Sequence, residues 1–327
     1  MTDSPLITAT KRGLYCPPGD FYIDPVKPAQ TAVVTHAHGD HLREGSARIL
    51  MAAPGLGIAR KRLNDARNVV AVEYGAPFTI GPVTVSLHPA GHILGSAQVR
   101  LEHDGQVWVV SGDYKRQHDP TCAPFQPVQC DVFVSEATFA QPHFVWPETS
   151  DVVGNIVRWW QIHRERGSNC VLYCYALGKA QRVLAEMLRH TDEPVHVHGE
   201  ISALVDVYRA AGIDMVPTVP VTATSAAQLR GALVMATPTM SRSSWLQRLG
   251  SGARAFCSGW MLLQGESQRR GYDLGFVVSD HADWPALVST CQQSGARRIR
   301  LMHGRTDRLA AHLMELGLDA APLAVSC

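Results

Sequence analysis

The chain has 327 residues, 46% of them hydrophobic, and a formal net charge of +1. That apolar content excludes a disordered chain, and the balanced charge excludes a globally basic nucleic-acid binder, so any nucleic-acid contact must be a local patch. No run approaches the ~20 apolar residues that cross a bilayer, and the opening MTDSPLITATKRG lacks the basic start and apolar stretch of a secretory signal. No membrane association and a cytoplasmic location are therefore expected. Along the chain, DFYIDP (20–25), TAVVTH (31–36) and RILMA (48–52) have strand composition, and PGLGIARKRL (54–63) reads as a helix. NVVAVEYG (68–75), FTIGPVTVSLHPA (78–90), AQVRLEHDGQVWVVSGD (97–113) and DVFVSEATF (131–139) follow as Val- and Ile-rich strands punctuated by Gly, Pro and Asp. Asp104-Gly105 suits a type I′ hairpin turn.

The texture changes near residue 145, where helices and strands begin to alternate. TSDVVGNIVRWWQIHRERG (149–167) is helical, with Thr149, Ser150 and Asp151 as candidate caps. CVLYCYA is a strand, GKAQRVLAEMLRH a helix, PVHVHG a strand and SALVDVYRAAG a helix. GALVMATP, SWLQRLG and ARAFCSGW continue the alternation, which implies a mostly parallel sheet with crossover helices. After about residue 265, LGFVVSDHADWPALVSTCQQSG and RIRLMHGRTDRLAAHLMELG each read as strand, loop and helix. An all-β-like start, an α/β middle and an α/β return suggest one domain interrupted by another. The eight cysteines, at 16, 122, 130, 170, 174, 257, 291 and 327, form no CxxC pair and read as reduced thiols. Cys170 and Cys174 share a strand face, where core packing is expected.

His36, His38, Asp40 and His41 spell HxHxDH directly after an apolar run. On an extended stretch 36, 38 and 40 point to one side, and a turn at Gly39 lets His41 come inward. Imidazoles and a carboxylate are the ligand set of zinc, manganese or iron, and four such groups converging without a cation carry a heavy desolvation cost. Further ligand-type residues end other apolar runs: His92, Asp113, Glu136, His281 and His303. One alone means little, but strand ends on one rim of a sheet converge in space. His88 reads as a structural or supporting residue. His196 and His198 alternate on one strand face and read as a packed or solvent-facing edge.

The order HxHxDH, then a His, an Asp and a late His resembles the metallo-β-lactamase fold, whose enzymes range from thioester hydrolases to nucleases. Asp113 and His303 are 190 residues apart, room for an inserted domain. A metallo-β-lactamase core with an inserted α/β cap resembles the β-CASP nucleases. SEAT matches that family's motif A with Glu136, SDHAD its motif B with His281, and LMHG its motif C with His303. The stretches GLYCPPGDFYIDP, SGDYKR and YALGKAQR further resemble the bacterial DNA ligase-associated exonucleases. The resemblance implies an α/β fold: a metallo-β-lactamase αββα sandwich from 1–145 and 266–327, interrupted by an α/β β-CASP-like cap at 146–265.

It also implies two divalent ions, zinc or manganese. His36, His38 and His92 would hold one, Asp40, His41 and His303 the other, and Asp113 would bridge them. Two ions ~3.5–4 Å apart can share a hydroxide that attacks phosphorus in line. His281 is the candidate general acid for the leaving oxygen. Glu136 would orient or tune it, with a plain capping role as its alternative. Asp40 is expected to act on the water as well as ligate. For substrate, Lys115 and Arg116 follow the bridging aspartate, Lys179 and Arg182 stand at a helix start, and Ser241 and Arg242 stand at another. Together they are expected to contact DNA phosphates along the cap side of the cleft. The expected function is hydrolysis of single- or double-stranded DNA, as an exonuclease in repair, beside an ATP-dependent DNA ligase and an Lhr-type helicase. The alternatives are an RNA-processing β-CASP ribonuclease, an inactive scaffold and a thioester or lactone hydrolase.

Overall fold

The computed structural model describes residues 5–223, 229–242 and 252–324. Two compact units divide the chain, Met1–Val145 with His281–Cys327, and Trp146–Asp280. The first unit holds two sheets. One runs in the order β1 (Thr8–Thr10), β2 (Gly13–Cys16), β3 (Phe21–Ile23), β4 (Thr31–Val34), β5 (Arg48–Ala52), β6 (Val69–Val72). It is antiparallel as far as β3 and parallel beyond. The helix α1 (Leu56–Arg62) lies on the connection from β5 to β6.

The other sheet comprises β7 (Phe78–Ile80), β8 (Val83–Pro89), β9 (Ala97–His103), β10 (Gln106–Val110), β11 (Val132–Ala137), β18 (Arg298–Gly304) and β19 (Asp319–Pro322). They lie in the order β19-β18-β11-β10-β9-β8-β7. β7 to β10 form an antiparallel meander. Its β9–β10 turn places Asp104 at φ 48° and Gly105 at φ 73°, the two positive angles that a type I′ turn requires. β10, β11, β18 and β19 pair in parallel.

Period-2 alternation sorts these strands onto two faces. Trp108 and Val110 of β10 and Val132 and Val134 of β11 enter one core with Ile23, Val33 and Leu50 of the first sheet. Val109 and Phe133 point the other way. They pack with Leu287 and Cys291 of α6 (Trp284–Gln293) and Leu309 and Leu313 of α7 (Thr306–Glu315). Strands covered on both faces read as near-continuous apolar runs, which is why VWVV and VFV carry no polar alternation. Each such buried side chain contributes roughly 1.5–3 kcal/mol.

The second unit has a parallel sheet in the order β14-β13-β15-β12-β16-β17. Its strands are β12 (Cys170–Tyr173), β13 (Val195–Val197), β14 (Thr218–Pro220), β15 (Leu233–Ala236), β16 (Ala253–Cys257) and β17 (Leu274–Phe276). Its helices are α2 (Thr149–Glu165), α3 (Lys179–Glu186), α4 (Gly199–Ala210) and α5 (Glu266–Arg269). Two local expectations are corrected. Glu148, not Thr149, Ser150 or Asp151, takes the N-cap position of α2, and no side chain caps it. The unit also runs on to Asp280 rather than 265, because β17 adds to the sheet beside β16, pairing Cys257 with Phe276. The expected SWLQRLG helix lies outside the described residues, apart from its neighbouring turn Pro238–Arg242. Cys170 and Cys174 are both fully buried. No described helix is long and apolar enough to cross a membrane.

Candidate metal centre

β4 delivers HxHxDH to the rim of its sheet, and the chain turns at His38, whose carbonyl accepts from the amides of His41 and Leu42. Strand alternation therefore ends at His38. His36 and His41 are buried, whereas the Asp40 side chain is 76% exposed. His92 reaches the same place from the loop between β8 and β9, and Asp113 from the end of β10.

Their donor atoms converge. His38 Nδ1 lies 3.0 Å from His36 Nε2 and 3.0 Å from His92 Nε2. Asp113 Oδ2 lies 3.6 Å from His36 Nε2, 3.8 Å from His92 Nε2 and 3.5 Å from His41 Nε2. Two ligands on one tetrahedral ion, each about 2.1 Å from it, stand about 3.4 Å apart, so these spacings are those of a ligand shell. Asp113 Oδ2 is common to the His36/His92 side and the His41 side. Asp40 Oδ2 adds to the latter, 3.7 Å from His41 Nε2.

His303 comes to the His41 side through a break in strand register. Glu136 pairs with Met302 but Ala137 pairs with Gly304, so His303 is the extra residue of a β-bulge. Its backbone is left-handed, φ 58°, and its ring centroid is 6.3 Å from that of His41. Gly304, at φ 79°, makes the bulge possible: a Cβ there would stand 2.1 Å from the Ala137 carbonyl oxygen. Bulges of this kind re-aim a side chain beside a site.

Electrostatics shows how the donor set fits a cation. Burial, reinforced by the nearby rings of His41 and His92, drives the His36 imidazole well below its usual pKa, so it is neutral, the form that can ligate a cation. Burial also pulls His41 down, but the Asp24 and Asp113 carboxylates outweigh it and raise it well above the usual value. Asp113 is opposed by burial too, yet His281, His41 and His36 hold it well below the carboxylate range. An ionised carboxylate thus sits among imidazoles, where positive charge is strongly favoured, and divalent ions can supply what protons otherwise would.

Asp24 was not singled out from the sequence. It sits just past β3, and its carboxylate accepts from the Thr35 amide at 2.8 Å and the Thr35 hydroxyl at 2.6 Å. Its Oδ2 lies 2.7 Å from His41 Nδ1, which fixes the ring with Nε2 toward Asp113. A carboxylate behind a ligating imidazole is the usual supporting arrangement. The only clue in the sequence is an Asp directly after a strand and before Pro25.

His281 Nδ1 is 2.8 Å from Glu136 Oε2, and the His281 and His92 ring centroids are 4.9 Å apart. Glu136 is fully buried on β11 and accepts from the Tyr114 amide through its other oxygen at 2.7 Å. Asp113, Glu136 and His281 also bring ligand-type atoms within 4.8 Å of one another.

The basic residues expected to touch phosphate are placed otherwise. Lys179 is buried, its ammonium 3.0 Å from Asp280 Oδ2 and over the Tyr175 ring. Arg182 is fully buried and donates to the Ser279 carbonyl at 3.0 Å and to Thr149 Oγ1 at 2.6 Å. Lys115 is buried as well. Arg116 donates to Thr290 Oγ1 and Gln293 Oε1 on α6 at 2.9 Å each and stacks on Phe125. As the structure stands, these four hold the fold rather than present free cations. Ser241 is half-buried in the turn Pro238–Arg242, and the Arg242 side chain, Ser243 and Ser244 lie outside the described residues. His88 bonds Ser86 at 3.0 Å, apart from the centre. His196 is half-buried on β13.

No family profile matches the chain. A probable DNA ligase of Opitutus terrae is 31% identical over 94% of this chain, which spans 30% of that protein. The endoribonuclease ysh-1 of Neurospora crassa is 28% identical over 36% of this chain, 14% of its own length. The chain thus spans less than a third of either relative. Among solved structures, a protein of unknown function from Enterococcus faecalis superposes with a TM-score of 0.59 over 84% of this chain and 75% of its own, at 11% identity, a likeness of fold alone. With the HxHxDH cluster, the buried Glu136–His281 pair and these relatives together, the chain belongs to the β-CASP family of metallo-β-lactamase-type proteins.

Proposed function

We propose that the protein is a two-metal phosphodiesterase that hydrolyses DNA, as an exonuclease in repair. The observation that supports it most is the shared position of Asp113 Oδ2, 3.5–3.8 Å from donors on both sides. His36, His38 and His92 would hold one ion, Asp40, His41 and His303 the other, with Asp113 between. Such ions, zinc or manganese, supply Lewis-acid charge and acidify water when bound. In this reading the first unit is the αββα sandwich and the second the inserted cap.

The remaining roles belong to the chain itself. Asp24 keeps His41 oriented. Glu136, held by the Tyr114 amide, fixes the His281 ring through Nδ1 and leaves Nε2 to give a proton to the leaving oxygen of the phosphodiester. Asp40, exposed at the rim, is available to accept a proton from water as well as to ligate. A probable DNA ligase carries a segment similar to nearly this whole chain, which favours DNA and an ATP-dependent ligase as functional partner. An Lhr-type helicase is proposed alongside it. The free cysteines fit a reducing compartment such as the cytoplasm. The second reading, an RNA-processing nuclease, is favoured by the endoribonuclease relative.

The test is digestion of end-labelled single- and double-stranded DNA and matched RNA, with manganese or zinc added separately. Mononucleotide release from DNA ends is expected. Preference for RNA would replace the first reading by the second, and no hydrolysis of either would refute both.

A further inference from the structure

Lys115, Lys179 and Arg182 are buried, so the local basic patch that a nearly neutral chain needs for nucleic acid lies elsewhere. The stretch 41–67 holds six basic and two acidic residues, a net +4 with histidine neutral, against +1 for the whole chain. Both acids are occupied. Glu44 Oε1 accepts from the Asn64 backbone amide at 2.8 Å and from its side chain at 2.7 Å, and Asp65 pairs with Arg67 at 2.7 Å. Arg43, Arg60, Lys61 and Arg62 are exposed, and among the described residues no carboxylate pairs with them.

Arg60, Lys61 and Arg62 close α1, and α1 is set across both loops of the metal centre. β4 and β5 are parallel neighbours, pairing Val34 with Met51, so the HxHxDH loop and the turn into α1 leave the same rim. At the helix start Gly55 packs on Gly95 of the His92 loop, where a Cβ on Gly95 would stand 2.2 Å from Gly55 Cα. At the helix end Arg62 lies on the HxHxDH loop itself. A Cβ on Gly39 would stand 2.8 Å from Arg62 Nη2, and apart from its chain neighbours only Arg62, among the described residues, comes within 4 Å of that position. The guanidinium thus meets the loop between His38 and Asp40.

We infer that the end of α1 is a track for the backbone of a nucleic-acid strand whose scissile phosphate lies at the metal centre, a conclusion that rests on the phosphodiesterase reading. Arg62, at the loop, takes the phosphate nearest the centre, and Arg60 and Lys61 take those farther along. Charge complementarity selects the occupant. A guanidinium fork matches a phosphate bidentately, an ammonium holds one as a point charge, and both gain affinity by releasing counterions. The helix dipole also favours cations in a last turn, but that effect requires no contact with the metal loop, which Arg62 makes. A backbone track reads charge rather than sugar. It sets how strongly a strand is held, for DNA and RNA alike, and not which of them is cut.

The test compares the native full chain with Arg60→Gln/Lys61→Gln/Arg62→Gln and with Arg60→Lys/Arg62→Lys, which keeps the charge. Manganese-loaded protein is assayed for kcat/KM on an oligothymidylate and on thymidine 5′-p-nitrophenyl phosphate, a diester without flanking phosphates. Anisotropy of the labelled oligothymidylate, with a chelator present so that the strand stays intact, reads binding from about 50 to 200 mM KCl. Melting temperature and manganese content report folding and loading. The neutral triple variant is expected to lose at least tenfold more kcat/KM on the oligothymidylate than on the small diester. Its binding should also depend less on salt. Three phosphate contacts on a single strand contribute a slope of roughly −2 in log affinity against log salt, ~15–20-fold over that range, and this share should vanish. The lysine variant should keep it. Equal losses on both substrates with an unchanged salt slope make the triplet a support of the metal loop and overturn the inference. A lower melting temperature with unchanged binding makes it a helix cap and overturns it too. Native protein that hydrolyses neither substrate overturns the phosphodiesterase reading, and the salt slope alone then upholds or overturns the track.

Discussion

Gly304→Ala is the sharpest test of how His303 reaches the centre. Alanine at φ 79° pays the left-handed cost of roughly 1–2 kcal/mol. Its Cβ would also meet the Ala137 carbonyl oxygen at 2.1 Å, the Ala137 carbonyl carbon at 2.7 Å and Thr138 Cα at 2.9 Å. All three are backbone, so no rotamer change relieves the clash, and β18 must draw away from β11. Overpacking of that kind costs a further ~1–3 kcal/mol, so a total loss of about 2–5 kcal/mol is expected. Moving the bulge moves His303, and with it one ligand of the proposed second ion. Urea unfolding reads the first effect, and native mass spectrometry of the manganese- or zinc-loaded protein reads the second, with stoichiometry falling from two ions to one. His303→Asn separates the two, because asparagine tolerates the left-handed backbone. It should keep the native unfolding midpoint and still lose the second ion. A Gly304→Ala protein that unfolds at the native urea concentration with two ions bound would refute both the bulge and the ligand assignment.

Asp24→Ala removes the acceptor of Thr35 and the partner of His41, and metal affinity should fall ~10–100-fold in a chelator-competition titration. His281→Ala should slow hydrolysis ~10²–10⁴-fold with metal content unchanged, the size of a lost general acid, and a proportionate loss of metal would instead make His281 a ligand. Lys179→Met deprives buried Asp280 of its cation and should destabilise the protein by ~3–5 kcal/mol in urea, whereas a pure loss of DNA affinity at native stability would restore Lys179 as a phosphate contact. Stripping the ions with a chelator should lower stability by about 2.7 kcal/mol for each site, ~5 kcal/mol for two independent sites, relative to protein at a metal concentration one hundred times Kd, measured as a fall in melting temperature.

The ligand cluster was legible because its elements are local. An apolar run ending in HxHxDH, or in Ser-Gly-Asp, places ligands at a strand end whatever the rest of the chain does. Asp40 marks where strand alternation stops, since the turn closing on His38 ends the extended run and leaves the Asp40 side chain exposed beside His41. His303 could be named as a ligand candidate but not placed, because the bulge depends on the register of β18 against β11, a long-range pairing. The surroundings of the basic residues were not legible for a related reason. LGKAQR at a helix start looks the same whether its cations face phosphate or protein, and Lys179 and Arg182 find their partners about 100 residues later, at Asp280 and Ser279. Both contacts lie within the second unit, where they hold α3 to the segment that ends it. The His281 ring is held by Glu136 at Nδ1, and under the proposed mechanism that hold is what a proton donor aimed at one leaving oxygen requires.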